Sequence, residues 1–210
     1  SGYQMQPEKP PVLYVTRKEE DGMMRLRRLE DDFEKVAKAE DGDVITLSGD
    51  ATGVRDDSGY PGTGLGKIEL TGGSETAPVT LDLNGNRLRE MSEVEDGATN
   101  MEFRDTAVWK IENGEIQLEE SGWLIVNENS NVTLAEIVTP SDLMGPGIAL
   151  STENSGTLTI KNSILCVDIA SYGGSVHMVD SELAKGLDGY AAWLFANGGT
   201  ILSLIHISEP

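Results

Sequence analysis

Short runs of β-forming residues recur along this chain with a mean spacing of about 23 residues. Trp109-Lys110-Ile111, Val132-Thr133-Leu134, Leu158-Thr159-Ile160, Val176-His177-Met178 and Ile201 align, with steps of 23, 26, 18 and 25 between their first residues. The residues that follow also rhyme: Ile111-Glu112-Asn113-Gly114, Ile160-Lys161-Asn162-Ser163 and Met178-Val179-Asp180-Ser181. A repeat of roughly 20–30 residues with no helical pattern inside it constrains the chain to a solenoid, because one such unit cannot bury its apolar face alone. A leucine-rich repeat would show a fixed Leu-x-x-Leu-x-Leu and an Asn at constant offset, and neither is present. Variable spacing, short strands and turns of Gly, Asn, Asp and Ser fit a parallel β-helix. Within each run the alternation has period two, so one face is buried. Trp109, Val132, Leu158 and Val176 then form one expected inward ladder, and Ile111, Leu134, Ile160 and Met178 a second.

The chain before this region reads differently. Residues 1–11 hold Pro7, Pro10 and Pro11 among polar neighbours, the composition of a linker. Val12-Leu13-Tyr14-Val15 and Met23-Met24-Arg25-Leu26 predict a hairpin around the turn Glu20-Asp21-Gly22. Leu26, Leu29, Phe33, Val36 and Ala37 share one helical face, with Glu30, Asp31, Asp32 and Glu34 early and Lys35 and Lys38 late, as a helix dipole favours. Residues 12–43 are therefore expected to be a hairpin and a helix over 26–40 that caps the first coil, closed by Asp41-Gly42-Asp43. Residues 44–201 are expected to be the coils. The fold class is all-β: a right-handed parallel β-helix solenoid with an N-terminal amphipathic capping helix.

The last nine residues, LSLIHISEP at 202–210, resemble the in-frame translation of a transposase sequencing adapter, and they are set aside from fold reasoning. On that reading His206 carries no meaning, and His177 is the one histidine to weigh.

Charge narrows the function. The formal net charge is −20, and after Asp43 there are eight basic against twenty-five acidic residues. A nucleic-acid binder meets phosphates with Lys and Arg, so this balance excludes that class, and a polybasic membrane-surface protein with it. The single Cys excludes a disulfide scaffold and a Cys-based zinc site. No apolar run approaches the roughly 18 residues of a membrane span.

From Leu29 the chain reads LEDDFEKVAKAEDGDVITLSGDATG and later VTLDLNGNRL. This resembles the repeat region of adhesin-like surface proteins of gut-type anaerobic bacteria, where a helix leads through G-D-x-I-T-L into I-T-L-D-L-N-G-x-x-L. Trp109–Ile116 and Gly156–Leu165 are similar to that family's G-T-L-T-I-x-N-G/S-x-I coils. The resemblance spans about residues 12–201. It implies a right-handed, pectin-lyase-like β-helix, an extracellular or cell-surface setting, and a part of a larger protein. Its motifs are turns, ladders and a cap, so they imply no reaction.

A lyase or hydrolase on this fold needs basic residues or clustered carboxylates at one place on the coils. Arg87 and Arg89 form the one tight basic pair in the coils and read as an exposed strand face. Asp56-Asp57 is the one Asp-Asp pair in the coils and lies in the long loop 51–66, where it reads as solvated charge; general acid–base work needs clustered carboxylates. Asp41 with Asp43, and Asp56 with Asp57, are candidate calcium ligands, but neither pair matches an EF-hand or a Gly-Gly-x-Gly-x-Asp repeat, and turn chemistry explains the first better. His177 lies between two inward positions and is expected to face outward; Cys166 is expected to be a buried small residue. The Asn131-Val132-Thr133 sequon reads as a chance match. Trp109 and Trp123 are expected in the core, Trp193 is undecided, and Tyr60 and Tyr172 are the expected exposed aromatics. No catalytic, cofactor-binding or metal-binding residue is assigned. The expectation is a non-enzymatic, adhesin-like or stalk module contacting glycan or a surface protein of a host or bacterium. The alternative is a truncated polysaccharide lyase or glycoside hydrolase, and a third option is a spacer that binds nothing.

Overall fold

In the computed structural model, the period-two runs become short strands that stack coil on coil. The structure describes residues 13–18, 24–29, 39–47, 49, 51–53, 67–90, 100–117, 123–139, 149–184 and 193–204. Strands β1 (Leu13–Lys18) and β2 (Met24–Leu29) come first. Then follow β3 (Val44–Leu47) and β4 (Ala51–Gly53), and β5 (Lys67–Leu70), β6 (Val79–Asp82) and β7 (Arg87–Glu90). The next two coils hold β8 (Asn100–Phe103) with β9 (Val108–Gln117), and β10 (Trp123–Val126) with β11 (Asn131–Val138). Above them lie β12 (Ala149–Glu153), β13 (Thr157–Lys161) and β14 (Ile164–Leu165), then β15 (Asp168–Tyr172), β16 (Ser175–Val179) and β17 (Glu182–Leu183). β18 (Leu194–Ala196) and β19 (Thr200–Leu204) come last.

Each coil visits three faces. The first is the sheet β18-β15-β12-β10-β8-β5. The second is β19-β16-β13-β11-β9-β6-β3, parallel throughout. The third is built from β4 and β7, the distal halves of β9 and β11, and β14 and β17, also parallel. The repeat in the sequence is the second face alone. The other faces have shorter or less regular strands, which is why a single period is what the sequence displays.

The ladders stand in register. Trp109 pairs with Val132, Val132 with Leu158, Leu158 with Val176, and Val176 with Ile201. Ile111, Leu134, Ile160 and Met178 pair likewise, and all eight side chains from Trp109 to Met178 are buried. The same columns run the other way through Val79 and Leu81 to Ile45. On the first face Met101, Leu124, Leu150 and Ile169 form a parallel column, buried in the same core. Phe103 meets Trp109 edge to face, with ring centroids 5.7 Å apart, and the Trp109 Nε1–H donates to the Thr71 carbonyl at 3.0 Å. The largest core side chain thus joins two faces and leaves no orphaned donor.

The corners repeat as the strands do. Between the second and third faces Asn113, Glu136, Asn162 and Asp180 follow Glu112, Ala135, Lys161 and Val179, residues that stack in register, and all four have left-handed φ, from +47° to +62°. Asn and Asp tolerate this conformation, and they are the residues that rhyme in the sequence. Glu136 is the exception. At the next corner, between the first and second faces, the left-handed pairs are Asp105-Thr106, Glu128-Asn129 and Asn154-Ser155.

The N-terminal expectation needs correction. The described residues contain no helix. Leu26 and Leu29, expected on a helical face, lie in β2, which pairs antiparallel with β1 in the register Leu13 to Leu29 and Lys18 to Met24. The 24–29 segment has a strand partner close in sequence, and that pairing outweighs the costly nucleation of a short helix. Phe33, Val36 and Ala37 lie outside the described residues. β1 also pairs antiparallel with β3, so the expected hairpin forms and joins the edge of the second face. At the far end β19 runs on through Leu202 to Leu204, beside β16; residues 205–210 lie outside the described residues.

Two stability outcomes follow. Trp109→Ala should cost about 3–5 kcal/mol, the range for large-to-small core substitutions, read as a lower denaturant midpoint. Glu136→Asn should raise stability by roughly 0.5–1 kcal/mol by relieving a left-handed glutamate, whereas Glu136→Ala should not. Thermal melts of the two variants would test the pair.

Candidate functional site

Most residues singled out in the sequence prove to be structural. Asp43 is buried and its Oδ2 accepts the Glu40 N–H at 2.9 Å, while the Asp41 Oδ1 accepts the Gly73 N–H at 2.9 Å. Both carboxylates therefore tie the turn around Gly42, which has φ +78°, rather than converge on a cation. Arg87 pairs with Glu115 at 2.7 Å across the third face; the side chain of Arg89 lies outside the described residues. Asp56, Asp57 and Tyr60 lie outside them too. His177 is half-buried on the outer row, in register with Thr159 and Leu202. Cys166 is buried, and its backbone N–H donates to the Thr139 hydroxyl. Asn131 begins β11, half-buried. Among the described residues no three His, Cys, Asp or Glu side chains are grouped as a metal site would need. No helix among them is long and apolar enough to cross a membrane.

The aromatic side chains divide sharply. Trp109 and Phe103 are in the core. On β10 the alternation runs opposite to expectation: Leu124 and Val126 are buried and Ile125 is half-buried, so Ile125 belongs to the outer row. The Trp123 side chain lies outside the described residues. The side chain of Tyr14 in β1 also lies outside them, whereas Tyr172, Trp193 and Phe195 are exposed by 43%, 68% and 48% and sit on two adjacent strands.

Strand pairing explains the grouping, while the exposure also reflects the edge position of β18, where inward-facing Leu194 is 56% exposed as well. β15 and β18 are neighbours on the first face, with Ile169 opposite Leu194, Ala170 opposite Phe195 and Ser171 opposite Ala196. Ile169 belongs to the core, and the Ser171 hydroxyl is buried, hydrogen-bonded to Thr152 and donating to the Gly174 carbonyl. Alternation therefore sends Asp168, Ala170 and Tyr172 outward from one strand, and Trp193, Phe195 and Asn197 outward from the next. The Tyr172 and Phe195 rings lie 5.7 Å apart at 52°. Ala170 is only 6% exposed and forms a small floor between them. Asp168 fixes one end, where its Oδ1 accepts the Trp193 N–H at 2.8 Å and the Ile169 N–H donates to the Trp193 carbonyl at 2.8 Å. At the other end the Asn197 N–H donates to the Ser171 carbonyl at 2.8 Å. Gly199 completes the anchoring, since any Cβ there would lie 2.0 Å from the Ser171 Oγ. The result is a grid of two rows with three outward residues each: carboxylate, methyl and phenol beside indole, phenyl and amide. The sequence alone does not link Trp193 and Phe195 to Tyr172. The signal it does hold is an aromatic-x-aromatic pair, at the spacing that puts both on one side of a strand.

The same outer row differs lower in the stack. Glu102 and Ser151 are buried there; the Asn127 amide donates to Glu102 Oε1 at 2.7 Å, and the Ser151 hydroxyl has no partner. Among the described side chains of this face, the exposed aromatics lie on the last two coils. No family model, no curated protein and no solved structure matches this chain.

Electrostatics away from the grid tie coils together. Arg104 reaches Glu128 of the next coil at 2.7 Å, and Glu128 also accepts the Asp105 N–H; the Lys110–Glu112 pair, by contrast, lies within β9. The Arg104 guanidinium, followed by bonding from Asp105, holds the Glu128 carboxyl below its ordinary pKa. A lowered carboxylate adds stability above its unfolded pKa and loses it as pH falls through the folded value. Arg104→Ala should therefore be less stable than the parent at neutral pH, with the gap closing once pH drops below about 4, the ordinary glutamate range. Urea melts at neutral and acid pH would read this difference. A gap that persists in acid would assign the loss to packing by Arg104 instead.

Proposed function

We propose that this chain is an extracellular, adhesin-like module of a larger bacterial surface protein, a right-handed parallel β-helix that contacts glycan through its outer surface. The observation that carries this reading is the grouping of three exposed aromatics, Tyr172, Trp193 and Phe195, on one outward grid of adjacent strands. Large aromatic side chains held in water at a rigid surface are what a pyranose needs, because a sugar ring presents an apolar face of C–H groups that stacks on them. The right-handed sense is the one that parallel crossovers take almost without exception. The pectin-lyase-like character and the surface setting rest on the resemblance of the cap-to-coil and coil motifs described above. In this reading the coils are a scaffold, and the work is recognition rather than turnover.

Binding of the purified chain to immobilised polysaccharides is the direct test. Trp193→Ala and Phe195→Ala should each weaken capture by about tenfold or more, since losing a stacked aromatic forfeits on the order of 1.5–3 kcal/mol of burial. Neither should move the thermal midpoint by more than a degree or two, because both side chains stand in solvent. Release of reducing ends or of unsaturated uronate from any polymer, abolished by changing a coil carboxylate, would overturn the reading in favour of a carbohydrate-active enzyme.

A further inference from the structure

The grid carries more than an aromatic surface, and its polar corners and charge define the sugar it fits. We infer that the site takes a neutral glycan, two or three pyranose rings long, lying along β18; the inference rests on the glycan-binding reading above. Length comes from the strand. Asp168 to Tyr172 is four steps of about 3.3 Å, some 13 Å, and the two rows stand about 4.8 Å apart. That is a strip with room for rings over Trp193 and over Phe195, whose side chains are 68% and 48% exposed. Adjacent outward side chains on one strand stand side by side, so they form a floor and not a cage. A compact cation held by several aromatic faces would need the cage.

The polar groups sit where ring hydroxyls would fall. Asp168 spends Oδ1 on the Trp193 backbone, and its Oδ2 has no partner among the described residues. A carboxylate oxygen of this kind accepts from sugar hydroxyls and makes charge-assisted bonds with them. Asn197 stands exposed at the opposite end with an amide that both donates and accepts. Charge then selects among sugars. From 162 to 204 the chain has Asp168, Asp180, Glu182 and Asp188 against Lys185 alone, on a chain of net charge −20. None of the six grid residues is basic, so a uronate or sulfate laid here would meet the Asp168 carboxylate without a guanidinium to pair with it. A neutral sugar meets no such penalty.

The test is affinity electrophoresis of the full chain in gels containing neutral polymers (β-glucan, galactan, mannan, xylan), polygalacturonate, or chitosan, with Trp193→Ala, Asp168→Asn and Asp168→Ala alongside. The expected result is retardation by at least one neutral polymer and none by polygalacturonate, with an affinity that changes less than twofold on going to about 0.5 M salt, where exposed charges are screened. Trp193→Ala should reduce that affinity tenfold or more, and Asp168→Ala severalfold, whereas Asp168→Asn, which keeps an acceptor for the Trp193 N–H, should lose less than Asp168→Ala. Retardation by polygalacturonate or chitosan that Trp193→Ala abolishes would leave the glycan reading standing and overturn the neutral class. Retardation by none of the polymers would overturn both. Neutral binding indifferent to Trp193→Ala and Asp168→Ala would place the site elsewhere and overturn this assignment of the grid.

Discussion

Everything in this molecule depends on parallel strands of successive coils pairing in register. Backbone N–H and C=O groups of one coil are satisfied by the coils on either side, so no strand can be placed without its neighbours. The same pairing puts each side chain directly over its counterpart one coil away. Inward positions therefore become columns such as Trp109–Val132–Leu158–Val176, and a column must be apolar along its whole length or lose its burial. Outward positions become columns too, and that is how two strands far apart in sequence come to share one surface at Asp168–Tyr172 and Leu194–Ala196.

Turning a corner in each coil without disturbing this register is the second demand. The chain meets it by placing a left-handed residue at the same point of successive coils, Asn113, Glu136, Asn162 and Asp180. Side-chain bonds reinforce the neighbouring corner: the Asn154 amide donates to the Asn127 Oδ1 at 2.8 Å, and the Asn127 Oδ1 also receives the Glu128 N–H. Most of the length variation in the connections falls at the remaining corner. Between the third and first faces the chain runs through 54–66, 91–99, 118–122, 139–148 and 184–193, with only Cys166 and Val167 spanning the step from β14 to β15.

The second face was legible residue by residue, because its strands keep the alternation and spacing of a buried ladder from Val79 to Ile201. The first and third faces were hidden for two physical reasons. Strands of two to four residues, such as Ile164–Leu165 and Glu182–Leu183, are too short to show a period. β9 and β11 cross a corner without a break in strand character, so two faces read as one run. The expected helix fails at Leu26 and Leu29, where a three-residue spacing that suits a helical face is overridden by pairing of β2 with β1, a partner the local spacing does not reveal. The aromatic grid was half visible. Tyr172 was placed outward from its turn, but its partners Trp193 and Phe195 are brought beside it only by β15–β18 pairing, which leaves no mark on either segment alone.

The direction of those hydrogen bonds also fixes how the fold responds to force. Sheet bonds in every face run from coil to coil, along the axis of the stack, while the covalent chain winds around it. Tension along that axis loads the bonds end-on and one coil at a time, as a zipper is opened, and never in the collective shear that makes pulled sheets strong. A stack of this kind resists compression and sideways bending through its continuous apolar core, yet yields coil by coil when drawn out. Mechanically it is a post rather than a rope.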